Sequence, residues 1–259
     1  MLGAICGDII GSAYEWCRVK HTNFNIFIPQ SRFTDDTVCS IAIAEALLTG
    51  QAFDKTLQYW CRKYPHAGYG GNFRRWIGSS DPKPYNSWGN GSAMRVSSVG
   101  AYAESVDEVM RLAEASAAVT HNHPEGIKAA QATALAIYLA LRGCSKEEIK
   151  QAIESRFGYD LSRLYWDIQR GYSFEVSCQK SVPEAIIAFL EGSDYESVVR
   201  LAVAYGGDAD TQAAIAGGIA AAYYGEIPET ILNECLLRLP VEMKKVIDDF
   251  NILLENGRK

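Results

Sequence analysis

Two distant segments of this chain carry the same pattern, Thr34-Asp35-Asp36-Thr37 and Asp208-Ala209-Asp210-Thr211. Each runs at once into an apolar, alanine-containing stretch that predicts a helix, Val38 to Leu48 in the first case and Gln212 to Tyr224 in the second. Each therefore sets carboxylates and a threonine hydroxyl at a helix start. Asp and Thr are favoured helix caps, and an acidic first turn suits the helix dipole. A cap needs only one side-chain oxygen, however, and each segment supplies two carboxylates. Gly206-Gly207, just before the second, lets backbone pass close to a neighbour. Four aspartates with hydroxyls, and no His or Cys among them, make an oxygen-only donor set. That set suits hard divalent cations such as Mg²⁺ or Mn²⁺ rather than zinc. The four carboxylates balance the charge of two such ions, so the expectation is a two-metal site between helix starts far apart in the chain.

Helical periodicity dominates elsewhere. Ser-x-x-Glu capping boxes predict helix starts at Ser105 to Glu108, Ser145 to Glu148 and Ser181 to Glu184. Gly50, Gly143, Gly192 and Gly225 mark stops. Long apolar runs such as Ile127 to Leu141 and Val198 to Tyr205 lie between these marks, and convincing alternating strands are absent. Phe24 to Ile28 reads at most as a short extended piece. The expected class is all-α, a compact helical bundle forming one domain over residues 1–259 with no linker dividing it. Gly3, Gly7 and Gly11 form a smooth stripe on the first helix, and Ala213, Ala214, Ala216, Gly217, Gly218, Ala220 and Ala221 crowd the helix after the second acidic segment. Small residues permit close helix approach, so both helices belong in the middle of the bundle. The irregular region from about Tyr64 to Gly91 is long enough to predict a functional loop.

The net charge of −6 argues against non-specific nucleic-acid binding, which needs a basic face. A hydrophobic share of 48% supplies a substantial core. The seven cysteines (Cys6, Cys17, Cys39, Cys61, Cys144, Cys178 and Cys235) are scattered, odd in number and without a C-x-x-C pair, so reduced thiols are expected. Met1 to Gly11 lacks a basic start and contains Asp8, which makes a poor signal peptide. No apolar run is long enough to span a bilayer. The expected location is cytoplasmic.

Further constellations point to a ligand. Gly68-Tyr69-Gly70-Gly71-Asn72 and Gly89-Asn90-Gly91-Ser92 can expose backbone N–H groups to phosphate oxygens, and the second precedes a predicted helix over Ala93 to Tyr102. Tyr69, Phe73 and Trp88 are candidates to stack on a base, with plain packing as the alternative. In Thr120-His121-Asn122-His123-Pro124 the pair of histidines lacks a third nitrogen or sulfur ligand. His121 is read as a ligand contact, and the segment otherwise reads as the cap of the following helix. Asp8 and Glu15, seven apart, are predicted two turns apart on one face of the first helix amid apolar neighbours, a setting that shifts carboxyl pKa values.

These motifs, in this order, resemble the ADP-ribosylglycohydrolase family, which includes the dinitrogenase reductase-activating glycohydrolases. The matching pieces are Gly7-Asp8 with Gly11-Ser12-Ala13-Tyr14-Glu15, Phe33-Thr34-Asp35-Asp36-Thr37, Gly89-Asn90-Gly91-Ser92-Ala93-Met94-Arg95, Thr120-His121, and Gly206-Gly207-Asp208-Ala209-Asp210-Thr211. The resemblance implies an all-helical fold with a dinuclear Mg²⁺ or Mn²⁺ centre held by Thr34, Asp35, Asp36, Asp208, Asp210 and Thr211. It implies hydrolysis of the bond between C1″ of ADP-ribose and an acceptor, commonly an arginine guanidinium nitrogen, in others a serine oxygen or an acetyl ester. Gly89, Asn90, Gly91 and Ser92 would line the diphosphate and ribose site, and His121 would contact the ligand. In the implied chemistry the ions position the ribose diol and activate a water, Asp36 or Asp210 orients or deprotonates that water, and Glu15 protonates the leaving group or steers the substrate. The expected partners are ADP-ribosylated proteins or small molecules, with ADP-ribose as product, and neither nucleic acid nor membrane. The competing readings are a non-catalytic, crystallin-like ADP-ribose-binding protein and another Mg²⁺-dependent hydrolase acting on phosphoesters.

Overall fold

The computed structural model describes residues 1–257. They form α1 (Leu2–Gly11), α2 (Asp35–Thr49), α3 (Phe53–Lys63), α4 (Gly71–Gly78), α5 (Ser97–Tyr102), α6 (Val106–Ala118), α7 (Pro124–Leu141), α8 (Lys146–Phe157), α9 (Tyr165–Gly171), α10 (Cys178–Glu191), α11 (Tyr195–Ala204), α12 (Ala209–Tyr224), α13 (Glu229–Leu237) and α14 (Val241–Gly257). No strand occurs among the described residues, and Phe24 to Ile28 is irregular. The class is all-α, as expected.

The pair α1 and α12 forms the centre. The two helices meet along faces of glycine and alanine too small to hold a neighbour away, and α12 is buried without a break from Ala209 to Ala220. A helix apolar all round belongs inside a larger structure. The glycines of α1 face the backbone of α12 directly. A Cβ added at Gly3 would lie 2.4 Å from the Gly217 carbonyl oxygen, one at Gly7 2.0 Å from that of Ala213, and one at Gly11 2.3 Å from that of Ala209. The pairing is antiparallel, so the end of α1 and the start of α12 share one end of the bundle. Tyr195 of α11 donates its hydroxyl hydrogen to the Gly3 carbonyl at 2.8 Å.

A second junction ties α1 to α2. Asp8, fully buried, accepts the Thr34 N–H at 2.9 Å, the Thr34 hydroxyl at 2.6 Å, the Thr37 N–H at 3.1 Å and the Thr37 hydroxyl. A buried carboxylate demands such partners. The orphan N–H groups of the first turn of α2 supply two of them.

Local signals place several helix ends. Ser105 caps α6 and Ser145 caps α8 in a reciprocal capping box. Gly50 and Gly225 close α2 and α12 in the left-handed conformation, with φ of 70° and 74°. Gly143 lies two residues beyond the end of α7, after the Arg142 cap, and Gly192 ends α10 in extended rather than left-handed backbone. Four expectations are corrected. Ser181 does not start a helix: α10 already begins at Cys178, whose N–H bonds to the Trp88 carbonyl, a partner from a remote loop. Glu15 does not continue the face of Asp8, because α1 ends at Gly11 and the chain turns. The helix expected over Ala93 to Tyr102 begins only at Ser97, after a 3-10 turn at Asn90–Ser92. The region from Tyr64 to Gly91 contains α4, which buries Phe73, Trp76 and Ile77.

The glycine contacts carry a stability prediction. Gly7→Ala must push α1 from α12 against backbone that cannot yield, and is expected to cost about 3 kcal/mol in urea unfolding. Gly71→Ala, with nothing within 4 Å of its added Cβ, is expected to stay within about 1 kcal/mol of the parent.

Candidate active site

The junction of α1, α2 and α12 opens into a cleft of about 700 Å³. Its floor is acidic. Carboxylate oxygens of Asp8, Asp36 and Asp210 lie within 4.8 Å of one another, as do those of Glu15, Asp208 and Asp210. Asp36 sits in the first turn of α2 and Asp210 in the first turn of α12. The two acidic segments therefore do meet, because each begins a helix that packs on α1. Asp35 lines the same cleft. Its N–H bonds to the Ala67 carbonyl at 2.9 Å. A Cβ on Gly68 would come 3.0 Å from its Oδ1, and that residue's φ of 121° disfavours one anyway. The Thr34 and Thr211 hydroxyls lie 3.3 and 3.4 Å from Asp36 Oδ2.

The second acidic segment is held from outside. Lys20 donates to the carbonyls of Gln169, Tyr172 and Tyr205, and its stem lies against Gly206. A Cβ on Gly207 would meet the Tyr172 ring at 2.5 Å. The glycine pair thus allows the close backbone passage its sequence implies. Asn90 Nδ2 donates to Asp208 Oδ2 at 2.7 Å, which links the Gly89–Ser92 turn to the acids.

Crowded, buried carboxyls resist ionisation. Burial, and after it the charge of Asp210, pushes Glu15 up to about 7 and Asp35 up to about 8. Asp208 rises to about 6 through burial, against hydrogen bonds from Asp210 and Asn90. Burial also raises Asp8, Asp36 and Asp210, with Asp210 adding to the shift of Asp36 and Asp208 to that of Asp210. No ion pair among the described residues involves any of these groups. Asp36 Oδ1 is buried without a hydrogen-bond partner. A converging oxygen-only set with an orphaned carboxylate oxygen and no ion-paired protein cation fits divalent metal ions of the hard class.

Another wall is the Gly89–Ser92 turn with His121. Gly89, Asn90, Gly91 and His121 line the cleft. Ser92 is fully buried behind them and donates its hydroxyl to the Gly126 carbonyl at 2.7 Å. The Asn90 N–H is taken by the Val176 carbonyl at 2.8 Å and the Gly89 N–H by Ser87 Oγ at 3.2 Å, so these two are not free for phosphate. His123 caps α7 through Nδ1. Tyr69 is core, with its hydroxyl on the Tyr64 carbonyl, and Phe73 stacks on Trp76. Trp88 is half exposed. Sequence reasoning missed the entrance, where Trp16, beside Glu15, stacks on Phe174 with ring centroids 5.2 Å apart. No local pattern pairs those two residues. It also paired Asp8 with Glu15 alone, although the Gly7-Asp8 motif offered a signal.

Comparison with known proteins agrees with this architecture. The family model for ADP-ribosylglycohydrolase matches residues 1–258. ADP-ribosylhydrolase ARH3 of Mus musculus is 28% identical over 91% of this chain and 86% of its own. The ADP-ribosylarginine hydrolase Tri1 of Pseudomonas putida is 25% identical over 87% of this chain and 69% of its own. A solved structure described as an ADP-ribosylglycohydrolase-related protein complex superposes with a TM-score of 0.69 at 29% identity, covering 96% of this chain and 95% of that one. A fold centred on the α1–α12 contact, an acidic floor between two helix starts and a full-length match lead to one conclusion: the chain belongs to the ADP-ribosylglycohydrolase family.

Proposed function

We propose that this family hydrolase cleaves the C1″ glycosidic bond of ADP-ribosylated substrates, arginine-linked ADP-ribose first among them, and releases ADP-ribose. The observation that carries the reading is the meeting of Asp36 and Asp210 with Glu15 at one end of the cleft. Thr34, Asp35, Asp36, Asp208, Asp210 and Thr211 would hold two Mg²⁺ or Mn²⁺ ions. Such ions, when bound, supply Lewis-acid polarisation and charge stabilisation at the reacting sugar. The chain's own groups do the rest. Asp36 or Asp210 orients or deprotonates the attacking water, and Glu15, at the cleft edge, delivers a proton to the leaving group or steers it. Bond breaking at C1″ develops oxocarbenium character, which the surrounding carboxylates stabilise. The arginine acceptor is supported by the resemblance to reactivating glycohydrolases and by likeness to Tri1, a protein named for ADP-ribosylarginine. Serine-linked and small-molecule conjugates are the alternative acceptors.

The deciding experiment incubates purified protein with arginine-linked and serine-linked ADP-ribosyl peptides in Mg²⁺, Mn²⁺ or EDTA, and reads products by mass spectrometry. Metal-dependent ADP-ribose from the arginine peptide is expected. AMP as product would place cleavage at the diphosphate instead, and no product with either peptide would refute peptide hydrolysis. Asp36→Asn and Asp210→Asn are each expected to lower turnover at least about 100-fold while leaving a folded protein by circular dichroism. Full activity in both would remove these residues from the site.

A pH dependence follows as well. Without metal, Asp208, Glu15 and Asp35 have folded-state values near 6, 7 and 8, above those of an unfolded chain. Their contribution to stability is complete at low pH and is lost as pH rises through that window. A bound divalent cation displaces those protons. The rise in Tm on replacing EDTA by Mn²⁺ is therefore expected to be larger at pH 8 than at pH 6. An equal or smaller rise at pH 8 would contradict the proposed ligands.

A further inference from the structure

Beside His121, Arg95 also lines the cleft and is buried with no carboxylate partner. It is 1% exposed, and its Nη2 donates to the Ser116 carbonyl at 2.7 Å and to Thr120 Oγ1 at 2.9 Å. Thr120 Oγ1 lies 2.7 Å from His121 Nδ1, and Thr120 is fully buried. A threonine hydroxyl has one hydrogen to donate. A guanidinium can only donate, so Thr120 Oγ1 accepts from Arg95. Its own hydrogen has one acceptor within reach, His121 Nδ1. Were Nδ1 protonated, two donors would face Oγ1 and the buried hydroxyl hydrogen would have no acceptor at all, an arrangement folded proteins avoid.

We propose that Arg95 and Thr120 hold His121 as the neutral Nε2–H tautomer, a fixed donor to a ligand oxygen rather than a group that moves protons. The tautomer of a histidine is set by the bond its other nitrogen makes. Nε2 faces the cleft wall formed by Gly89 and Gly91. A Cβ at Gly91 would stand 3.1 Å from Nε2, so glycine there keeps the donor accessible. Burial, with the Arg95 charge nearby, also pushes the His121 pKa well below 6.5, which keeps the ring neutral. The fitting ligand group is an oxygen acceptor without a proton to give, above all a phosphate oxygen. That identification rests on the proposed ADP-ribose ligand. The tautomer itself does not.

The test is a long-range ¹H–¹⁵N correlation spectrum of ring-labelled, ligand-free protein at neutral pH, with His121 assigned by His121→Gln. A single species protonated at Nε2 is expected. Thr120→Val, close in shape, is expected to lose that single tautomer and to weaken ADP-ribose binding about tenfold by calorimetry, and Thr120→Ser to restore both. Nδ1–H or a doubly protonated ring in the parent would overturn the inference, as would a Val variant that keeps both tautomer and affinity. Should the parent show Nε2–H yet bind no ADP-ribose, the tautomer stands and the proposed ligand fails.

Discussion

The contact between α1 and α12 is backbone against backbone. Gly3, Gly7 and Gly11 meet the backbone of Gly217, Ala213 and Ala209, with the Ala221 methyl also against Gly3. Close packing of this kind gains dispersion energy over many atom pairs and leaves no freedom to slide. It also fixes which helix ends coincide. With the pair antiparallel, the turn after Gly11, which carries Glu15, lies against the start of α12, which carries Asp210. Asp8, one turn earlier on α1, then gathers the start of α2. Three segments with no sequence proximity thus converge through one helix and its glycine stripe.

Gathering these acids works against stability. Buried carboxyls without an ion-paired cation must stay protonated or repel one another; burial raises all of their pKa values, and neighbouring carboxylates add to the rise in all but Asp8. The fold tolerates the conflict because the surrounding positions are over-determined. Asp8 is saturated by Thr34 and Thr37. Lys20 spans three carbonyls behind the Gly206-Gly207 turn. Asn90 reaches across to Asp208. Electrostatic strain held by rigid surroundings is the expected state of a site that meets its positive charge in a ligand. The cleft is also divided by chemistry. One side carries the carboxylates, and another carries Gly91 and the His121 ring, which Thr120 links to Arg95.

Much of this architecture is legible in the residues and their spacing. The acidic segments stand out because each supplies more carboxylate than a cap can use. The Gly3, Gly7 and Gly11 stripe signals a close helix contact because a spacing of four is a helical repeat. Helix starts at Ser105 and Ser145 follow from local capping chemistry. The features that escape a sequence reading share a cause. The start of α10 at Cys178 depends on the carbonyl of Trp88, the burial of Phe73 on stacking with Trp76, and the pairing of Trp16 with Phe174 on two loops meeting. None of these contacts follows from a repeat or a capping motif, so no local pattern records them.

The sequence by itself determined the all-helical class, the oxygen-only chemistry of the acidic segments and the family. Helix periodicity, donor type and motif order are properties of residues and their spacing. Tertiary structure alone decided that Asp8 gathers beneath the acidic floor with Asp36 and Asp210, that Glu15 leaves the first helix to meet Asp208 and Asp210, that Ser92 turns away from the cleft, and that Thr120 links Arg95 to His121. Those are distances between groups from different elements, and only the packing of helices sets such distances.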